Sequence, residues 1–353
     1  MSTLPPIAIT PGDPCGIGTE IIARAFLNDA LSPQDRPVTQ ACFVAGDAQA
    51  IQKAVNLVDP KALQLKLQVI QKPAQAQNLP VGVIPVLQVA ALASQLPYGE
   101  VHAKAGRFAG QCVVWAAQAA LRKEIAAMVT APLHKEALSA AGSPFNQFPG
   151  HTELLQFEAA QFSGVRLADM PVRMMLANDE LRVVLVSIHV SLRQALDAVT
   201  YDNVLESLRI THQSLSLLLG HAPKIGVSGL NPHAGEAGLF GREEIEIIAP
   251  AMAQARSEGI LAQGPYAPDT VFMRARQKQG ADSEFDVVLA MYHDQGLIPV
   301  KYMGLEQGVN VTLGLPLVRT SPDHGTAFDI AGQGCADASS MVAAIRMARQ
   351  LIP

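Results

Sequence analysis

Charged residues are scarce in this sequence, and cysteines are few. Charged side chains make up 16% of the 353 residues and hydrophobic ones 49%, whereas about 25% of a typical globular protein is charged. This low charge density predicts extensive burial, including a sizeable subunit interface. The four cysteines are scattered without a CxxC pair, which excludes a disulfide framework and a zinc–thiolate site and indicates a reducing cytoplasm.

Basic runs and long apolar runs are also missing. A net charge of −5 without clustered Lys and Arg argues against a nucleic-acid partner, because such clusters hold phosphate backbones. Uninterrupted apolar runs such as Val287–Tyr292 fall short of the roughly 18 residues that span a membrane. The first residues lack a basic segment followed by an apolar one, so we expect no signal peptide. These absences predict a soluble, cytoplasmic protein with no membrane partner.

The chain length favours two lobes or one large α/β unit. Short β-rich runs alternate with longer helical patterns, which predicts an α/β protein with a largely parallel sheet. The predicted strands are Ile7–Thr10, Ala41–Ala45, Ala126–Thr130, Arg182–Ile188, Lys224–Ser228 and Val287–Tyr292. The predicted helices are one from about Thr19, then Gln49–Asn56, Lys104–Lys123, Ser191–Thr200, Tyr201–Leu219, Arg242–Glu258 and Ala338–Leu351.

Two places interrupt this alternation. Leu57–Pro97 has several prolines and glutamines with β-type alternation, and we expect a meander or an insertion at a lobe edge. The residues TAPLH end a predicted strand in a loop, so we expect a domain boundary near Thr130–Leu133.

The segment from Met291 to Gly334 has the composition of an active site. It holds two histidines, three aspartates, one lysine, one arginine and one asparagine, together with seven glycines. These side chains can bind a metal and a phosphate, and the glycines allow the backbone to approach a ligand. A segment built only for a core would show apolar periodicity instead. The composition therefore predicts a metal-dependent enzyme.

Three histidines stand out by their position. His189, His233 and His293 each lie at the C-terminal end of a predicted strand, where open α/β sheets bind ligands. Three protein ligands with an open position are the usual pattern of a catalytic metal site. The alternative is that each is a hydrogen-bonded histidine of the core or of a loop.

Two motifs near strand ends are candidates for anion binding. TPGDPCGIGTE (Thr10–Glu20) is neither GxGxxG nor a Walker motif; its amides could face an anion, or it is simply a tight turn. In PGHTELL, His151 and Thr152 can donate hydrogen bonds to a substrate. Thr152 could equally be the N-cap of a helix.

Further polar residues follow His293. Lys301, Asn310 and Arg319 are suitable partners for a phosphate or a carboxylate, although a solvated surface is the more common place for a single Lys or Arg. DHGTAFDIAGQGCAD (Asp323–Asp337) is predicted to be a loop followed by a helix. Its small residues permit backbone contact with an adenine or a ribose, and Asp329 could bind hydroxyl groups.

Taken together, the motifs resemble a known family. PGDPCGIGTE is similar to the PGDGIGPE turn, and HGTAFDIAGQG to the HGSAPDIAGKG loop, of the isocitrate and isopropylmalate dehydrogenase superfamily. TAPLHKEAL, PGHTELL, GLNPHAGEAGLFGREE, GPYAPDTVF, MYHDQG and GVNVTLGLPLVRTSPDHGTA resemble the 4-hydroxythreonine-4-phosphate dehydrogenases of vitamin B6 biosynthesis. The resemblance extends from Pro11 to Gly334, which is nearly the whole chain.

The resemblance implies a fold and a set of site residues. Family members are homodimers with a two-lobed α/β fold and an active site in the interlobe cleft near the dimer interface. Residues 1–130 with about 300–353 would form the nucleotide side, and about 131–299 the metal and dimer side. The residues that match the family's divalent-metal ligands, contributed by two subunits, are His189, His233 and His293. The residues that match its substrate contacts are His151, Thr152, Lys301, Asn310 and Arg319. The superfamily's nucleotide loop matches His324–Ile330, including His324, Gly325, Thr326 and Asp329.

The implied reaction is the oxidation of 4-phosphooxy-L-threonine with NAD or NADP and one divalent metal (Zn, Mg or Co), followed by loss of CO2. Lys301 is the first candidate for proton transfer, with phosphate contact as a competing role, and Asp294 is expected to orient a ligand histidine. Three alternatives stay open. They are a paralogue acting on phosphothreonate or phosphoerythronate, a metal-dependent decarboxylase without net redox chemistry, and a non-catalytic binding protein.

Overall fold

The chain forms two compact units in a computed structural model that describes residues 4–31, 37–92, 96–277, 283–304 and 308–352. Unit 1 lies within Met1–Pro171 and Leu315–Ile352, and unit 2 is Val172–Gly314. The sequence predicted two lobes with boundaries near residues 130 and 300. One lobe was expected to bind the nucleotide, and the other to bind the metal and form the dimer interface. That division stays a prediction.

Strands and helices alternate along most of the chain. The strands are β1 (Ile7–Thr10), β2 (Cys42–Gly46), β3 (Lys66–Ile70), β4 (Val83–Gln88), β5 (Ala127–Thr130), β6 (Arg173–Ala177), β7 (Arg182–Leu185), β8 (Ile225–Ser228), β9 (Ala262–Tyr266), β10 (Val287–Ala290), β11 (Val309–Leu313) and β12 (Arg319–Pro322). The helices are α1 (Gly18–Leu31), α2 (Ala48–Val58), α3 (Ala103–Leu121), α4 (Lys135–Ala140), α5 (His151–Ser163), α6 (Leu192–Ala198), α7 (Tyr201–Leu219), α8 (Ala249–Ser257), α9 (Val271–Ala275), α10 (His293–Tyr302) and α11 (Ser339–Leu351).

Unit 1 has the strand order β3-β4-β2-β1-β5-β12, and its neighbouring strands pair in parallel. Every residue of β1, β2 and β5 is buried, as expected for parallel strands covered on both faces. The core joins Phe43 and Met128 of the sheet to Phe145 and Leu154. Helix α3 packs against α4 and α5. Gly110 of α3 has no side chain, which leaves space for the Phe145 ring to pack against this helix.

Unit 2 has the strand order β11-β6-β7-β10-β8-β9. Strands β6 and β7 form an antiparallel hairpin, and β11 also pairs antiparallel with β6. The hairpin turn is closed by Asn178, whose Oδ1 accepts hydrogen bonds from the amides of Glu180 and Leu181 at 2.9 and 2.8 Å. The pairings of β7 with β10, of β10 with β8 and of β8 with β9 are parallel. Their carboxyl ends therefore lie at one edge of the sheet.

The predicted fold class, an α/β protein with a largely parallel sheet, is confirmed. The first strand and helix α7 have the predicted bounds, helix α2 is longer than the predicted Gln49–Asn56, and the other predicted elements differ by a few residues at their ends. Predicted helix Arg242–Glu258 begins instead with a π-helical turn, Glu244–Ile248, before α8. In the described residues no helix is both long and apolar enough to cross a membrane.

The expectation of a meander within Leu57–Pro97 is wrong. Consecutive strands of a meander run antiparallel, whereas β3 and β4 pair in parallel through a connection that contains the 3₁₀ turn Pro73–Ala76. The segment does lie at an edge, because β3 is the terminal strand of the unit 1 order. Residues 93–95 of this segment lie outside the described residues.

Candidate active site

Three neighbouring strands of unit 2 lead into the loops that carry the candidate metal ligands. Strands β7, β10 and β8 are adjacent and parallel. His189 follows β7, His293 follows β10 as the first residue of α10, and His233 follows β8. The three histidines thus follow strands that end at one sheet edge, which is where α/β proteins place their ligands.

Two of the histidines contact each other. The ring centroids of His189 and His293 are 5.6 Å apart. The Nδ1 of His293 donates to the Oδ1 of Asp294 at 2.7 Å, so the Nε2 lone pair of His293 is left to bind a metal. Imidazole nitrogens of this kind suit Zn and Co better than Mg. The donor set therefore fits a divalent metal, and Asp294 has the contact that the expected orienting role requires.

The third histidine lies in an unusual backbone turn. Residues 233 to 237, within Pro232–Gly238, all have positive φ, between 43° and 79°. Left-handed conformations cost L-residues roughly 1–2 kcal/mol each, so the turn needs support from its surroundings. Glu244, only 3% exposed, accepts hydrogen bonds from the amides of Leu230 and Asn231 at 2.8 and 2.7 Å. This buried carboxylate anchors the chain just before His233.

The described chain does not by itself assemble a three-residue metal site. Among the described residues, no group of three or more His, Cys, Asp and Glu side chains could hold a metal ion. The structure brings His189 beside His293, while the ring of His233 lies 6.1 Å from that of Phe240. The ligand set of three histidines stays a prediction.

Unit 1 contains a buried cationic group. Arg319, at the start of β12, is 4% exposed, and its Nε and Nη2 donate to Thr130 Oγ1 at 3.1 and 2.8 Å. Burial lowers the pKa of Arg319 to about 10, and the nearby negative charge of Glu153 acts in the opposite direction. The guanidinium therefore remains charged at neutral pH and can bind a phosphate or a carboxylate.

His151 is the neutral counterpart of this cation. Loss of hydration, with a smaller contribution from the positive charge of Arg319, lowers the pKa of His151 well below its ordinary value of 6.5. Its Nε2 is buried and has no hydrogen-bond partner among the described residues. Helix α5 begins at His151 with Gly150 as its N-cap, so the alternative of Thr152 as N-cap is wrong. His151 thus offers a neutral imidazole to a ligand.

The expected nucleotide loop is held by contacts of several residues, and two of its residues are exposed. His324 Nε2 lies 2.8 Å from Ser340 Oγ, and the carbonyl of buried Thr326 accepts from Ile17 N at 3.0 Å. Gly325 and Asp329 are exposed, and no atom of the described residues lies within 4 Å of the position that a Cβ on Gly325 would take. Backbone contact with a planar ligand is therefore sterically open at Gly325.

The turn in TPGDPCGIGTE supports this loop. Three of its amides already donate to other groups of the protein: Asp13 N to Pro132 O, Gly16 N to Asp13 O and Cys15 N to Asp13 Oδ1. A Cβ added to Gly16 would lie 2.7 Å from the Thr326 carbonyl oxygen. Of the two interpretations left open, these contacts favour the tight turn over the anion site.

Lys301 and Asn310 are placed on different elements of unit 2. Lys301 is exposed in the last turn of α10, two helical turns after His293. Asn310 is half-buried in β11, opposite Leu176 of β6. Their expected roles in substrate binding stay predictions, as do those of His151, Thr152 and Arg319.

Two polar residues near the candidate sites, His134 and Gln295, were not predicted from the sequence. The ring of His134, which follows β5, stacks on Phe328 with centroids 4.8 Å apart and planes inclined by 16°. Phe328 lies in the expected nucleotide loop, so the HGTAF motif carried a signal for an aromatic contact. Among the described residues, Gln295 bonds to backbone atoms, and no sequence pattern signals such a contact.

Comparison with known proteins shows similarity over nearly the whole chain. Residues 38–348 match the family described as pyridoxal phosphate biosynthetic protein PdxA. The chain is 48% identical to 4-hydroxythreonine-4-phosphate dehydrogenase of Beijerinckia indica, over 98% of this chain and 95% of the relative. It is 43% identical to D-threonate 4-phosphate dehydrogenase of Cupriavidus necator, over 99% and 97%. The crystal structure of 4-hydroxythreonine-4-phosphate dehydrogenase from Klebsiella pneumoniae superposes with a TM-score of 0.83 at 40% identity, covering 99% of this chain and 100% of that one.

Proposed function

Because the chain belongs to the family of the pyridoxal phosphate biosynthetic protein PdxA, as its motifs predicted, we propose that it is a 4-hydroxythreonine-4-phosphate dehydrogenase dependent on NAD(P) and a divalent metal. The substrate is 4-phosphooxy-L-threonine, oxidised at its secondary alcohol to 2-amino-3-oxo-4-phosphooxybutanoate. This product has a carboxylate β to a ketone and decarboxylates to 3-amino-2-oxopropyl phosphate. The reaction belongs to the biosynthesis of pyridoxal and pyridoxine 5′-phosphate.

The observation that carries the proposal is the buried cation of unit 1. Arg319 stays charged although it is almost fully buried, which suits it to a phosphorylated or carboxylated substrate. His151 beside it is neutral at physiological pH, so it can donate or accept a hydrogen bond without adding charge. We assign Arg319, His151 and Thr152 to substrate binding, together with Asn310.

The residues of unit 2 supply the remaining chemistry in this proposal. His189, His233 and His293 hold the divalent metal, and Asp294 orients His293 through the bond at 2.7 Å. When bound, the metal would supply Lewis-acid polarisation of a substrate oxygen, and the nicotinamide would supply the hydride acceptor. Lys301 takes the hydroxyl proton or, as its competing role, contacts the phosphate. Gly325, Thr326 and Asp329 contact the nucleotide with His324.

We further propose a homodimer in the cytoplasm, with the metal loops at the subunit interface. Large apolar side chains are exposed shortly after two of the ligand histidines. Val190 and Leu192, 51% and 61% exposed, follow His189, and Leu239 and Phe240, 73% and 50% exposed, follow the turn of His233. Large exposed apolar side chains in these two segments support a contact with another chain.

The test is nicotinamide reduction by EDTA-stripped protein, followed at the absorbance of NADH or NADPH, with and without Zn, Mg or Co. Metal-dependent reduction with 4-phosphooxy-L-threonine supports the proposal and identifies the preferred cofactor and metal. Absence of reduction under every condition contradicts it. Decarboxylation of the oxidised product without NADH or NADPH formation from the alcohol would favour a decarboxylase instead.

A second candidate has the support of several relatives. The protein of Cupriavidus necator is named a D-threonate 4-phosphate dehydrogenase, and its substrate carries a hydroxyl where the amino acid carries an amine. The same assay with D-threonate 4-phosphate and erythronate 4-phosphate discriminates between the two. A higher kcat/KM for a hydroxy acid than for 4-phosphooxy-L-threonine would assign the chain to this second activity.

Lys301 can be assigned within the same assay. Proton transfer predicts that Lys301→Ala lowers kcat at saturating substrate. A raised KM with unchanged kcat would exclude proton transfer and leave phosphate contact as the role.

A further inference from the structure

A single buried side chain joins two of the histidine-bearing segments of unit 2. Gln295, 9% exposed, lies in the first turn of α10, two residues after His293. Its Oε1 accepts from the amide of Met291 at 2.7 Å, and its Nε2 donates to the carbonyl of Gly229 at 2.8 Å. The amide of Gln295 therefore connects the end of β10 to the end of β8.

Both backbone partners of Gln295 are held by further hydrogen bonds. The carbonyl of Met291 accepts from Ser187 Oγ at 3.0 Å, and the amide of Gly229 donates to Tyr266 O at 2.7 Å. Gln295 is thus the central member of a connected polar network, in which each bond restricts the geometry of the next.

The position of His233 depends on the chain segment that Gln295 holds. Gly229 begins the loop that leads into the left-handed turn, and Glu244 anchors the next two residues, Leu230 and Asn231. Glu244 fixes the conformation of this loop, whereas Gln295 ties the loop to the strand end that precedes His293. A glutamine suits this place because one amide group supplies both a donor and an acceptor.

We propose that Gln295 is a positioning residue that sets the separation between His233 and His293 for a shared divalent metal. The inference rests on the proposed function, since it requires that these two histidines bind the metal. Gln295 itself contacts backbone atoms and acts through the loops that it joins.

The test measures Co²⁺ binding to the metal-stripped full-length protein by calorimetry and by the visible absorption of bound Co²⁺. Gln295→Met keeps the length of the side chain and removes both hydrogen bonds. We expect it to weaken Co²⁺ binding about tenfold or more and to change the absorption spectrum, because partners that orient ligands have effects of this size. Thr211→Val is the matched control, since it removes a buried hydrogen bond of α7 in the same unit.

Two further variants make the outcome decisive. If Gln295→Met does not fold, Gln295→Asn is measured instead and judged by the same change in Co²⁺ binding. Its side chain is too short to keep both hydrogen bonds and leaves room for a water molecule. Wild-type affinity and spectrum in the folded Gln295 variant, with binding lost in His233→Ala, would overturn the inference and leave the metal site standing. Failure of the wild type to bind Co²⁺, or unchanged binding in His233→Ala, would remove the proposed metal site and the role of Gln295 with it.

Discussion

Replacing His151 by Gln is expected to make unit 1 less sensitive to acid. In the folded chain, burial and the charge of Arg319 hold the pKa of His151 well below 6.5. In the unfolded chain the imidazole is hydrated and takes up a proton near its ordinary pKa of about 6.5. Since the unfolded state then binds more protons than the folded state, acid favours unfolding in the window from about pH 6.5 down to the folded pKa.

The size of the effect follows from one proton. While His151 stays neutral in the folded state, its contribution lowers the free energy of unfolding by about 1.4 kcal/mol between about pH 7.5 and pH 5.5. Gln does not titrate, so the variant lacks this contribution. The change between the two pH values should therefore be about 1.4 kcal/mol smaller in His151→Gln than in the wild type.

The single tryptophan of the chain provides the assay. Trp115 lies in α3 of unit 1, edge-on to Phe43 with ring centroids 6.1 Å apart, and its fluorescence reports the unfolding of that unit in urea. His221→Gln, an exposed histidine of unit 2, is the control for removal of any histidine. Equal acid sensitivity of His151→Gln and the wild type would refute the reasoning, because it would mean that His151 takes up its proton in the folded state as well.

Three further outcomes follow from the site geometry. Arg319→Lys should raise KM for 4-phosphooxy-L-threonine roughly 10- to 100-fold in steady-state kinetics, because lysine cannot make a forked contact with a phosphate; an unchanged KM would exclude Arg319 from the substrate site. Asp294→Asn should weaken Co²⁺ binding about tenfold or more by calorimetry, since its carboxylate orients His293 at 2.7 Å; wild-type affinity would contradict this. Gly16→Ala should raise KM for NAD(P) roughly tenfold while leaving Co²⁺ affinity unchanged, because its Cβ would meet the Thr326 carbonyl at 2.7 Å. An unchanged KM for NAD(P) in the variant would show that this turn does not support nucleotide binding.

Elements with a clear local pattern were predictable from the sequence. The apolar run IAIT of β1 and the periodic helix α7 were predicted with their observed bounds. The strand RMMLA (Arg173–Ala177) was missed, since a short apolar run fits a helix or a strand, and its antiparallel partners are set by tertiary contacts. Strand Val309–Leu313 lies in a glycine-rich segment that was interpreted only as an active-site segment.

The part of the site that could be predicted consists of side chains that directly follow parallel strands. The adjacency of His189 and His293 follows from the parallel pairing of their strands. The role of Gln295 could not be predicted, because its partners are backbone atoms, and that of Glu244 could not because it depends mainly on the amides of Leu230 and Asn231. Gln295 donates to a carbonyl 66 residues away in sequence, and backbone acceptors have no sequence signature.

The division of the chain has a consequence for its synthesis. Unit 1 is discontinuous, with all of unit 2 inserted between β5 and its neighbour β12. During synthesis, β5 therefore lacks this neighbour until unit 2 has been translated. An unpaired strand edge can pair with the wrong strand or with another chain. We expect nascent chains to depend on chaperones during this interval, and a chain ending at Gly314 to aggregate more than the full chain in a light-scattering assay. Equal solubility of the two chains would show that β5 is protected by other means.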